Sequence, residues 1–189
     1  MFILAITAGF LFHTGVQGGA LTGFLHPLLG LDHLLAMIAV GILSTQMGGR
    51  AIWTVPAAFV LVMLVGGILG LAGIELPIVE YGITGSVLAL GIAILLQGNM
   101  PVAVAMFFVG IFGLFHGHAH GTELPESAAA QGLGYVASYV SGFLIATVGL
   151  HLIGALVGLM AEGKNQGNLI MRLSGAAIAI IGVALIVQV

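Results

Sequence analysis

Apolar residues run along this chain in blocks of roughly twenty, the length that crosses a bilayer as a helix, and polar positions gather between the blocks. Met1 to Leu25 is apolar except for His13-Thr14-Gly15 and Gln17-Gly18-Gly19, and predicts a first helix that breaks near His26-Pro27. Leu31 to Met47 is short for a full span, and Pro27 and Gly30 just ahead of it place its start below the membrane surface. Gly48-Gly49-Arg50 is a loop. Ala51 to Gly73 forms the third segment, with Trp53 placed as an interfacial anchor. Beyond the turn Ile74-Glu75-Leu76-Pro77, Ile78 to Gln97 forms the fourth. Pro101 closes the turn Gly98-Asn99-Met100-Pro101 and suits a helix start. Val102 to about His118 is the fifth, about Ala128 to Met160 a long sixth and Asn168 to Val189 a seventh.

No stretch alternates with the two-residue period of a transmembrane barrel strand. The pattern therefore predicts an all-α polytopic transmembrane bundle of six to seven helices, with residues 1–189 as one transmembrane domain. Residues 1–25 read as a retained first helix or a signal-like segment. No basic residue precedes the apolar run and no small-x-small site lies near Phe12, which favours retention.

Composition agrees: 60% of residues are hydrophobic and 5% charged, against about 25% charged in soluble domains. The net charge of -3 comes with no basic patch, so nothing is present to hold nucleic acid. The absence of cysteine leaves a metal only imidazole, carboxylate, thioether, backbone or water as ligands. Many of the 31 glycines, as in Gly66-Gly67-Ile68-Leu69-Gly70, read as sites where helices approach closely. Arg50, Lys164 and Arg172 fall at two loops, and Glu75, Glu80, Glu123 and Glu126 at the two between. The excess of cations on cytoplasmic loops then turns both histidine-rich stretches toward the outer face.

Those stretches carry the candidate chemistry. The first places His26, Asp32, His33 and Met37 within a dozen residues of greasy chain. Asp32 can ligate an ion beside His33, orient the His33 ring through its second nitrogen, or simply cap a helix. Met37 lies one turn past His33, where core filling is the simpler role. In the second stretch His116 and His120 are four apart and share a helix face, a common grip on one ion. His118 points elsewhere on a helix. If Gly117 and Gly121 end that helix, all three histidines can converge, with Glu123 as a carboxylate. His13 and His151 are intramembrane histidines and so functional candidates, against the plain alternative of an imidazole bonded to a helix carbonyl. Glu80 faces either the pore or the outer interface. Ser86, Ser138 and Ser141 are expected to make interhelical hydrogen bonds, with no Ser-His-Asp arrangement among them.

The spacing His26-x5-Asp32-His33 within Gly23 to Gly41, followed by Phe115-His116-Gly117-His118-Ala119-His120-Gly121-Thr122-Glu123, resembles the HupE/UreJ family. The likeness continues through Val55-Pro56-Ala57-Ala58-Phe59, Glu75-Leu76-Pro77 with Glu80, and Gly82 to Gly91, covering nearly the whole chain. It implies a secondary permease for nickel or cobalt in a bacterial-type inner (cytoplasmic) membrane. It implies His26, Asp32 and His33 as metal residues of the first motif, and His116, His120 and Glu123 of the second. Members commonly carry a cleavable signal ahead of a His-Thr-Gly stretch. Here His13-Thr14-Gly15 follows only twelve residues.

The expectation is thus a non-enzymatic importer of Ni2+ or Co2+ with no prosthetic group, Zn2+ and Cu2+ being compatible with the same ligands. No Gly-x4-Gly-Lys-Ser/Thr loop is present, so energy comes from an ion gradient, the membrane potential or a partner. The expected partners are the cation and the bilayer, with a second copy of the chain or a metallochaperone left open. The alternative is a membrane-embedded metal-dependent hydrolase that activates water on the same His/Asp cluster, with Glu80 or Glu123 as base.

Overall fold

The computed structural model describes residues 19–98, 100–124, 131–161 and 167–189. Among them are seven helices and no strand: α1 Gly19–Leu29, α2 Leu31–Met47, α3 Ala51–Leu71, α4 Val79–Leu96, α5 Val102–Thr122, α6 Leu133–Ala161 and α7 Gly167–Ile186. Helices α3 to α7 are each long and apolar enough to cross a membrane. α1 and α2 meet at 82° and together amount to one broken span or a re-entrant loop. Leu61, Val65, Ile68, Phe107, Ile145, Leu156 and Ile180 project from the bundle. Helices apolar on every side suit burial in protein inwards and hydrocarbon outwards.

The break falls three residues later than the sequence pattern places it. Pro27 lies inside α1, in its last turn, where only a short run of helix follows to be disturbed. The chain turns at Gly30, whose backbone is extended (φ -85, ψ 114) and whose carbonyl accepts the Leu34 amide at 2.9 Å. Many residues adopt that backbone. Glycine contributes space, because a Cβ there would stand 3.1 Å from Asp32 Oδ1 and 3.2 Å from His33 Nδ1.

Two further boundaries shift for identifiable reasons. α5 runs on to Thr122 because Gly117 and Gly121 face α3 instead of ending the helix. α6 starts at Leu133, after Gly132 at φ +85, a conformation side chains resist.

α2 is the centre of the bundle and touches each of the six other described helices. From Ala36 to Thr45 it is buried, Ile38 alone staying partly exposed. Around it α3 pairs with α5, α4 with α7, and α1 and α2 lie along α6. The α3–α5 seam is built on glycine: Gly113, Gly117 and Gly121 meet the backbones of Phe59, Met63 and Gly67, at matching four-residue steps. Packing of this kind brings helix axes close enough for side chains beside the seam to meet. One end of the bundle carries Arg50, with Gln97 bonded to the Asn168 carbonyl at 3.4 Å. The other carries Glu75 and Glu123, with the His118 Nε2–H donating to the Ile74 carbonyl at 2.7 Å.

Candidate metal centre

At the acidic end, three helices deliver five ionisable side chains and the C-cap of α5 a sixth. α1 supplies His26, the first turn of α2 supplies Asp32 and His33, α5 supplies His116 and His120, and Glu123 caps α5. The bend at Gly30 is what turns His26 and His33, seven residues apart, toward the same helix α5. The His33 ring centroid lies 4.6 Å from that of His116 and 4.3 Å from that of His120. His120 in turn sits 4.7 Å from His26. His26 Nε2 and Glu123 Oε2 are 3.0 Å apart across 97 residues of sequence.

Hydrogen bonds assign the protons. The Asp32 carboxylate can only accept, so the His33 ring donates from Nδ1, at 2.7 Å, and keeps a lone pair on Nε2. Orienting a ligating imidazole through its other nitrogen is how carboxylates support metal-bound histidines. The Ser86 hydroxyl spends its one proton on the Ile83 carbonyl at 2.6 Å. It therefore accepts from His116 Nε2–H at 2.9 Å, which leaves the lone pair of His116 on Nδ1. Buried His33 Nε2, His116 Nδ1 and both nitrogens of His120 have no hydrogen-bond partner among the described residues. Such buried groups are normally paired. A row of unpaired lone pairs is the donor set a cation needs.

One ligand atom each from His26, His120 and Glu123 lie within 4.8 Å of one another. Ligands about 2.1 Å from a metal ion stand at most about 4.2 Å apart, so small side-chain shifts suffice to close them on one ion. The hydrogen bond from His26 holds the Glu123 carboxyl below the ordinary carboxylate range, although burial works against it. Glu123 therefore carries its charge at neutral pH.

The other candidates separate from this cluster. His118 is buried but turned to Ile74, tying the α3–α4 loop to α5. Met37 is wholly buried in the hydrophobic core, the simpler of its two roles. Glu80 is exposed in the first turn of α4 and pairs with neither histidine group. Asp32 makes no capping bond, since α2 begins after Gly30. His151 is buried deeper in α6, its ring edge-on to Phe59 at 5.3 Å. His13 and Glu126 lie outside the described residues. Ser86 makes its interhelical bond, whereas Ser141 bonds the Ala137 carbonyl of its own helix.

Residues the sequence pattern did not single out complete the walls. Phe59 packs against His116 at 5.6 Å, and Phe143 against His120 at 4.2 Å. The ring of Tyr139 stands 6.2 Å from that of His26. The four-residue step from Tyr139 to Phe143 on α6 was the available signal.

Protein HupE of Rhizobium leguminosarum bv. viciae is 47% identical over 176 residues, covering 93% of this chain and 88% of that protein. No solved structure matches the chain. The sequence model described as HupE / UreJ protein matches residues 1–185. With its apolar helices and this family match over almost its full length, the chain belongs to the HupE/UreJ family and is an integral membrane protein.

Proposed function

We propose that the protein is a permease that takes Ni2+ or Co2+ from the extracytoplasmic side of a bacterial inner membrane. The family is transporter-type and associated with nickel and cobalt uptake. The observation that carries the reading is the meeting of His26, His120 and Glu123 within 4.8 Å, with His33 against the same His120 ring. A hydrated dication must exchange water for protein ligands, and neutral imidazoles with one carboxylate suit borderline first-row ions. His26, His33, His116, His120 and Glu123 act as ligands, and Asp32 orients His33. A transport site must also let go. Protonatable imidazoles and a half-exposed Glu123 give a site that is readily emptied. With Arg50 and Arg172 on the opposite side, the acidic end faces outward.

The test uses purified protein in liposomes loaded with a metal-sensitive dye. Ni2+ or Co2+ entry is expected with the wild type and not with His33→Ala. A dye that stays silent with the wild type overturns the permease, and turnover of lipid or peptide by the same vesicles would establish the hydrolase instead.

A further inference from the structure

We propose that Thr147 and His151 form an inner ion station, which receives the divalent cation as it leaves His116 and His120. This rests on the permease reading and adds a second site to it. Phe143, Thr147 and His151 recur every four residues on one face of α6, and all three are buried. Phe143 touches His120. At about 1.5 Å of rise per residue, Thr147 lies about 6 Å and His151 about 12 Å further along α6, toward the Arg50 end. The row thus leads inward from the outer cluster.

Both ring nitrogens of His151 and the Thr147 hydroxyl are buried without a hydrogen-bond partner among the described residues. Helical threonines usually return their hydroxyls to their own helix, and Thr45, Thr54, Thr84 and Thr122 do so here. Thr147 does not. The rings of His116 and His151 both pack on one phenyl group, Phe59, at 5.6 and 5.3 Å. Their separation can be no more than those two distances combined. Phe59 is itself wholly buried, so the two imidazoles share one dry wall. One imidazole nitrogen and one hydroxyl offer a first-row dication partial coordination, with water completing it. That is enough to hold an ion and little enough to release it.

The test compares His151→Phe and Thr147→Val in the full chain, by Ni2+ entry into dye-loaded liposomes and by equilibrium dialysis of radioactive Ni2+ in detergent. Phenylalanine fills the space of the ring without polar atoms, so the melting temperature should hold or rise. The initial rate should fall more than about tenfold, the scale of loss when metal-supporting residues are removed. Dialysis should show one bound equivalent fewer, with binding at the outer cluster retained. Wild-type rate and unchanged stoichiometry in His151→Phe would overturn the inner station. Should that variant fail to fold, the nearly isosteric Thr147→Val decides by the same two readings. If even the wild type admits no Ni2+, the permease fails while dialysis still judges the station: a lost equivalent upholds it and full stoichiometry overturns it.

Discussion

Asp32 holds its neighbour His33 with a single oxygen: Oδ1 accepts from the ring Nδ1 at 2.7 Å and from the backbone amide at 2.8 Å. The ring is thereby fixed against those of His116 and His120. Asp32→Ala releases it, and nickel uptake should fall about 10- to 100-fold at equal protein level. Asp32→Asn keeps an accepting oxygen and loses the charge, so it should fall between. Initial rates in liposomes measure both, and an unimpaired alanine variant would remove the orienting role.

Ser86 decides which nitrogen His116 can offer. Ser86→Ala leaves a buried N–H without an acceptor, at a cost of about 1–3 kcal/mol. The variant should melt earlier in detergent and bind Ni2+ more weakly, because the ring can then turn its lone pair away. Unchanged melting and dialysis would show that the bond is dispensable.

The pH profile follows from Glu123. Its folded pKa is depressed, chiefly by the His26 hydrogen bond. The pair's stabilising effect is therefore full above the ordinary carboxylate value and fades only as pH falls through the lowered one. Imidazoles must be unprotonated to ligate. Uptake should thus decline on acidification, as protons compete with the cation for the ring nitrogens. Glu123→Gln removes one ligand charge and should lower the rate at every pH. A variant that matches the wild-type rate across the pH range would remove Glu123 from the ligand set.

Gly117 stands between two histidines of the second motif, and its role is structural. A methyl group there would collide with the Met63 carbonyl of α3, which cannot swing aside as a side chain can. Overpacking costs about 1–3 kcal/mol, and Gly117→Ala should lower the melting temperature and displace His116 from Phe59. Gly149→Ala, where a Cβ meets open space, is the matched control and should melt as the wild type does. Equal behaviour of the two variants would refute the glycine seam.

Much of the architecture is legible along the chain because each apolar block must satisfy its own backbone in lipid, which only a helix does locally. Hence Ala51, Val102 and the region around Asn168 mark helix starts in both the pattern and the structure. Glycine is where the pattern misleads. Gly117 and Gly121 look like a helix end, and their four-residue spacing from Gly113 becomes meaningful only once α3 lies against them. Pro27 looks like a break, yet the bend comes at Gly30, where the Asp32–His33 pair needs the room.

Residue types and local spacing alone determined a membrane bundle, two histidine motifs and the shared face of His116 and His120, because composition and helical period are local properties. The joining of those motifs was decided by tertiary structure. No spacing relates His26 to Glu123, and no periodicity tells Ser86 to accept from His116 or brings Phe59 against both His116 and His151. Such contacts depend on how glycine-lined helices settle against each other, and that is set by shape complementarity between segments distant in the chain.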